Sequence, residues 1–406
     1  MKRIIEIPST RILAIIWTLS LFVILILSIS INTNPTVEAK YVFSKKWGTQ
    51  GSGNGQFNHP IGIAVDSSGR VYVVDTGNNR IQQFRLVNPC PNGTTQIVTG
   101  VCFVRAWGSL GSGNGQFNNP TDVALDSSGR VYVADKGNNR IQMFKGTGDF
   151  IRAWNTESPG TSEFEALIGV AVDSSANQIY AAESRVQGQG VIHKFQLANP
   201  CPVGTTEVVS GICFIVKWTY GQIPDPAPGM PDPLHSVLGV GVNSVTHDVF
   251  VSLYKDVQVP GSSVYDQYWI VRRAGNGNEL TKWGGLASHD NGKFYNPAGI
   301  GVSPSGLVYV TDIGTSTIQT FQLIKPVGSC PVGTSQIISG LCFVTKWGSN
   351  GSANGQFAGP ADVSIGGPLA HVFVADMANN RIQEFYWKTD VGGPGGDGTS
   401  PNIAVK

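Results

Sequence analysis

Cysteine pairs, histidines, recurring carboxylates and glycine-rich loops each offer a chemistry in this sequence, and their spacing narrows the choice. Six cysteines fall in three segments, CPNGTTQIVTGVC (90–102), CPVGTTEVVSGIC (201–213) and CPVGTSQIISGLC (330–342). A zinc site usually separates paired ligands by two to four residues, whereas eleven intervene here. Each segment has a Pro-x-Gly-Thr turn after its first cysteine and a strand-like run before its second. The pattern predicts three hairpins, closed by Cys90–Cys102, Cys201–Cys213 and Cys330–Cys342, in a chain that matures in an oxidising compartment.

Gly51-Ser52-Gly53-Asn54-Gly55 could cradle a phosphate. Neither the dinucleotide-fold spacing nor a closing Lys-Ser/Thr follows it, and no helix N-terminus is expected behind it. It reads as a crossover loop. Asp75, Asp135, Asp312 and Asp376 recur at one place in a repeated pattern, as do Arg80, Arg140 and Arg381. Such repetition predicts turn bonds and Asp–Arg pairing rather than catalysis. His59 and His235 each stand just before an apolar run. The equivalent positions elsewhere are Asn119, Ala166, Asn296 and Gly359, and His289 comes seven residues early. Two histidines without a third make a poor catalytic zinc site. No metal, no cofactor and no Ser-His-Asp or Cys-His set is expected.

The elements that must position these residues are written as repeats. The stretches 51–84 and 111–144 are identical at 26 of 34 positions. Trp47, Trp107, Trp154, Trp218, Trp283 and Trp347 each end a short apolar run, and a glycine-rich or irregular loop follows. Three short strands come next, separated by Asx and glycine turns such as Asp66-Ser67-Ser68-Gly69, the signature of a meander. The strand triplets begin near 61, 121, 167, 237, 298 and 361. The first tryptophan strand, Tyr41–Trp47, has no triplet before it, and the last triplet has no tryptophan strand after it. Pairing these two orphans closes a ring of six four-stranded antiparallel blades, an all-β six-bladed β-propeller with no long exposed edge.

The residues now resemble a known family. Phe-x-x-Pro, a hydrophobic strand and Val-Tyr-Val-x-Asp-x-x-Asn-Asn-Arg-Ile-Gln-x-Phe look like the NHL repeat, carried here by Phe57–Phe84, Phe117–Phe144 and Phe357–Phe385. Blade 5, Phe294–Phe321, keeps Asn296-Pro297 and Val308–Asp312 but replaces the Asn-Asn-Arg turn, while blades 3 and 4 keep only the rhythm. The resemblance implies a six-bladed propeller and no single activity, since such propellers include RNA binders, protein-interaction domains, sensor domains and lyases. The amidating lyase of this fold class gathers histidines from several blades around zinc near the channel. A lyase or hydrolase with a metal site at the channel mouth is therefore the alternative to a binding module.

Strand direction alternates within a blade. The glycine-rich loops and Asp-x-x-Asn-Asn-Arg turns are thus expected on one face, and the cysteine hairpins of blades 1, 3 and 5 on the other. Blade 4 abandons the pattern on the first face, with TYGQIPDPAPGMPDPLH (219–235) and YKDVQVPGSSVYDQYW (254–269), and blade 3 carries SRVQGQG (184–190) there. Long irregular loops on a rigid scaffold are where binding residues concentrate. Tyr254, Tyr265, Tyr268 and Trp269 are the expected anchors for a protein, peptide or glycan ligand, with His59 and His235 as further candidates.

Of the 406 residues 41% are apolar and 14% charged, with 51 glycines and 23 prolines to serve the turns. From Lys40 onward 25 basic residues balance 25 acidic ones. A neutral body lacks the electrostatic footprint of nucleic-acid binding. Residues 12–31, ILAIIWTLSLFVILILSISI, are uncharged and follow Lys2, Arg3 and Arg11. As a helix they would span a hydrocarbon core of about 30 Å, so 1–39 reads as a membrane anchor or, with Val37-Glu38-Ala39 as the cleavage site, a signal peptide. Either places 40–406, with the propeller at 40–388, outside the cytoplasm, at the cell surface or beyond it. The glycine-rich tail 389–406 reads as disordered.

Overall fold

The computed structural model describes residues 40–155, 164–185, 189–220, 235–257, 265–324 and 328–388. The helix expected over 12–31 and the tail 389–406 lie outside these residues. Among the described residues no helix is long and apolar enough to cross a membrane.

The strands form six antiparallel sheets arranged as six blades. Blade 1 runs from the inner strand Pro60–Val65 through Arg70–Asp75 and Arg80–Arg85 to Val101–Trp107. Local chemistry dictates the turns. Asp66 accepts the N–H groups of Ser68 and Arg70 on one carboxylate oxygen, both at 2.9 Å, which bends the chain between the first two strands. Between the second and third strands a 3₁₀ turn, Thr76–Asn78, ends on Asn79 in the left-handed region (φ 51°). Asparagine tolerates that conformation because its short polar side chain can bond locally. Asn139 and Asn380 repeat the device in blades 2 and 6.

The ring closes as the orphan strands require. Lys40–Trp47 pairs antiparallel with Arg381–Lys388, from Lys40 opposite Lys388 to Trp47 opposite Ile382. It is the outermost strand of blade 6.

The expectation of four strands per blade holds for blades 2, 4 and 6 and fails for blades 1, 3 and 5, which have five. The extra strands are Thr95–Val98, Thr206–Val209 and Ser335–Ile338, each folded back on the cysteine-bearing outer strand. The cysteine segments are therefore hairpins in the full hydrogen-bonded sense. All three disulfides are as expected, with Cα–Cα distances of 5.6 Å.

Apolar side chains collect in six clusters, one between each pair of neighbouring blades. Trp47, Phe373 and Ile382 of blade 6 meet Phe57, Val73 and Phe84 of blade 1. The fifth strands pad three of these cores. Ile97 and Val98 join the core between blades 6 and 1, Val208 and Val209 that between 2 and 3, and Ile337 and Ile338 that between 4 and 5.

Candidate ligand surface

The glycine N–H groups of the blade 1 loop bond within the protein and are not turned towards a phosphate. Gly51 N–H binds Phe57 O (3.0 Å), Gly53 N–H binds Gln56 Oε1 (2.9 Å) and Gly55 N–H binds Gln82 Oε1 (2.9 Å). Asp75, fully buried, ties the loop to the blade by accepting from Asn58 N–H (2.8 Å), Asn78 Nδ2, Arg80 Nε (2.7 Å) and Gln82 Nε2 (3.0 Å). Arg80 then donates to the Gly53 and Gln56 carbonyls. Blades 2 and 6 repeat the set with Asp135–Arg140 and Asp376–Arg381. These residues build blades. In blade 3 Glu183 and His193 take the Asp and Gln positions, with a bond of 2.6 Å between them.

The two histidine candidates do not meet. His59 is exposed at the entrance to blade 1, its N–H bound to Asn380 Oδ1 and its ring Nδ1 2.8 Å from Asn58 Oδ1. His235 opens the inner strand of blade 4, opposite Lys255, and its side chain lies outside the described set. Blades 1 and 4 face each other across the ring. Among the described residues no three His, Cys, Asp or Glu side chains gather in a metal-binding group.

The inner strands of all six blades line a central cavity of about 330 Å³. At one level the six residues are Gly62, Asp122, Gly169, Gly239, Gly299 and Asp362. Each aspartate bridges to the next blade. Asp122 accepts Val170 N–H (2.8 Å) as well as Val123 N–H, and Asp362 accepts Ile63 N–H (2.9 Å) as well as Val363 N–H. The glycines give the room. A Cβ on Gly62 would lie 2.7 Å from Asp122 Cα, and one on Gly299 2.5 Å from Asp362 Cα. Burial pushes the Asp362 carboxyl up to about 7. Burial and the Asp362 charge raise Asp122 well above the carboxylate range. Comparing the six inner strands position by position is the signal that picks out this pair.

Blade 4 stands taller than its neighbours. Its second and third strands, Asp248–Val257 and Tyr265–Arg273, continue past the usual turn, adding Tyr254–Tyr268, Lys255–Gln267, Asp256–Asp266 and Val257–Tyr265 as cross-strand pairs. Tyr254 and Tyr268 meet at a tilt of 39° with centroids 5.3 Å apart, and Tyr254 Oη donates to Asp266 Oδ1 (2.9 Å). Burial, with Asp266, Asp312 and Tyr295 close enough to add to it, raises the Tyr268 hydroxyl above its usual range. Tyr295, 45% exposed, in turn meets the ring of exposed His289 at a tilt of 38° and 5.3 Å between centroids. Blades 4 and 5 thus each carry an aromatic pair along their shared seam.

The structure splits the expected aromatic group. Tyr254 and Tyr268 face the core between blades 4 and 5, whereas Trp269 packs towards blade 3 with Lys282 over its ring. The Tyr265 side chain lies outside the described set. Tyr295 escapes a reading of departures because it replaces Asn58 inside an otherwise regular Phe-x-x-Pro motif.

Comparison with known proteins follows the same lines. The NHL repeat matches residues 57–84, 117–144 and 294–321. The chain carries three NHL repeats within a six-bladed β-propeller. The third NHL match falls on blade 5, which loses the Asn-Asn-Arg turn, and not on blade 6, which keeps it but carries one extra residue between Phe357 and Phe385. NHL repeat-containing protein 3 from Homo sapiens is 39% identical over 101 residues, 23% of this chain and 25% of that protein. E3 ubiquitin-protein ligase TRIM32 from Homo sapiens is 31% identical over 109 residues, 25% of this chain and 15% of that one. The matched region thus spans a quarter or less of these relatives' length. Among solved structures, the RRP9 WD40 repeats superpose with a TM-score of 0.50 at 9% identity, covering 86% of this chain and all of that one. A streptogramin B lyase structure gives 0.41 at 12% identity, covering 86% and 97%. These structural likenesses concern the propeller architecture alone.

Proposed function

We propose that this NHL propeller is an exported binding module that holds a protein or peptide partner on the rim formed by blades 4 and 5. The carrying observation is the blade 4 hairpin, whose four extra residue pairs serve no closure of the ring. They carry Tyr254, in tilted contact with Tyr268, to the side of blade 4 that faces blade 5, where Tyr295 and His289 form a second aromatic pair. Tyrosine offers large contact area at small entropic cost, which suits a contact anchor. Three disulfides support maturation outside the reducing cytosol.

The test compares the parent with Tyr254→Ala/Tyr295→Ala in capturing partners from the medium and surface fraction of the source cells, with captured species then titrated individually. A truncated anchor at an interface often costs about 2 kcal/mol or more, roughly thirtyfold in affinity. Equal affinity of a correctly folded double variant for every captured partner would place the contact surface elsewhere. Trp269→Ala is the contrasting variant, because its ring packs towards blade 3, away from Tyr295 and His289. It should lower stability before it lowers binding.

A further inference from the structure

Blades 2 and 6 share one register on their outer pair of strands. Lys45 stands opposite Glu384, and Arg152 opposite Met143. On the inner side Phe373 faces Glu384 and Tyr132 faces Met143. In blade 6 the buried Glu384 sits between two basic groups, with Oε2 3.5 Å from Lys45 Nζ and Oε1 2.5 Å from His371 Nδ1. Blade 2 keeps both basic positions, as Arg152 and Arg130, and replaces the acid between them with Met143, 2% exposed. Blade 4, the third four-stranded blade, puts Arg272 at this position and neutralises it with Asp248 at 2.6 Å. Blade 2 alone among the three leaves the position without its counter-charge.

The positive charge is only partly answered. Arg130 directs its Nε to Asp126. The Arg152 guanidinium makes no ion pair or hydrogen bond among the described residues. The nearby Glu207 accepts the Gly211 N–H at 3.0 Å. Both arginines line a cleft of about 300 Å³ between blades 2 and 3, together with Asn177, Asn199, Ser210 and the apolar Met143. We infer that this cleft binds a small organic carboxylate, which supplies from solution the anion that Glu384 supplies within blade 6. A guanidinium presents a planar fork that matches a carboxylate in two parallel bonds. A cleft of this volume, at the lower bound for small-molecule sites, also takes an organic body of amino-acid size, with the amide and hydroxyl side chains for its polar groups.

The experiment uses the full chain at low ionic strength, labelled at its methionine methyl groups, four in all. N-acetylalanine, its neutral amide and inorganic sulfate are the probes. N-acetylalanine should shift the Met143 methyl resonance saturably, while the amide should not. Calorimetry should show binding at least tenfold weaker in Arg152→Gln and in Met143→Glu, the second rebuilding the acid of blade 6 beside an intact Arg152. Absence of a saturable shift, equal response to the amide, or binding of sulfate in preference to the carboxylate overturns the assignment. So does a folded Met143→Glu protein that binds as tightly as the parent. Should that variant fail to fold, Arg152→Gln decides alone, and unchanged affinity there overturns it.

Discussion

Asp75 and Asp66 each hold an arginine, and their burial decides how much each pair is worth. Asp75 is fully buried and serves four donor groups, including Arg80 at 15% side-chain exposure. Removing one partner of a buried pair leaves the other desolvated, at a cost of about 3–5 kcal/mol. Asp75→Ala should therefore lower unfolding stability by that order in urea titration. Asp66 pairs with Arg70, which is 41% exposed, and Asp66→Ala should cost about 1 kcal/mol through its turn bonds. The cavity aspartates make a different prediction. The Asp362 carboxyl is raised in the folded state to about 7, and Asp122 is raised with it. Between about pH 4, where an unfolded carboxylate ionises, and about pH 7 the folded chain keeps protons that the unfolded chain has released. The Asp362 contribution to stability must fall as pH rises through that window and level off above it, and Asp122, raised as well, acts in the same direction. Asp122→Asn/Asp362→Asn should show a smaller drop in urea midpoint between pH 4.5 and 7.5 than the parent. An unchanged drop would mean that other groups set the slope.

At the scale of elements, each cysteine hairpin does two jobs, closing itself and covering the core of the preceding blade. Cross-linking a loop of this size contributes about 3 kcal/mol, with a model-dependent origin. Cys330→Ser/Cys342→Ser should raise amide exchange across Ser335–Phe343 by roughly a hundredfold, while the opposite side of the ring keeps its protection. Equal exchange in the two proteins would show that pairing alone holds the hairpin. These hairpins mark the limit of what the residues say. Their disulfides were legible because a turn and a β-branched run stood between each pair of cysteines. Their edge strands were not, since a four-residue run such as Thr95–Val98 does not reveal its partner until the outer strand is in place. The tall hairpin of blade 4 was legible as a break in the repeat. The division of Tyr268 from Trp269 was implicit in the two-residue alternation of a strand, but only once both were known to lie within one. Asp122 and Asp362 stayed hidden because a lone aspartate in an apolar run carries no motif.

At the scale of the whole molecule, the ring depends on Lys40–Trp47 to complete blade 6. A chain beginning at Gly48 would expose the edge of Arg381–Lys388 and strip Trp47, 2% exposed, from the core it shares with Phe84 and Phe373. Losing a buried tryptophan side chain alone costs about 3–5 kcal/mol. Such a chain should melt well below one beginning at Lys40 and self-associate through the open edge, as scanning calorimetry and light scattering would report. Matching melting temperatures would refute the closure. The alternation of five- and four-stranded blades carries a mechanical consequence. The fifth strands bind blade 6 to 1, 2 to 3 and 4 to 5, and Asp362 and Asp122 rivet the first two of these couples from inside. Among the described residues the seams between 1 and 2, 3 and 4, and 5 and 6 have no fifth strand over them. Separate bonds such as His247 Nδ1 to Asp173 Oδ2 (2.7 Å) and Tyr41 Oη to Tyr309 Oη (2.9 Å) cross there, so under equal load the uncovered seams should part before the covered ones. Stretched between its ends in an optical trap, the propeller should open first at the closing strand and the 6–1 seam, where both ends lie. It should then lengthen with blades 2–3 and blades 4–5 each yielding as a clasped pair.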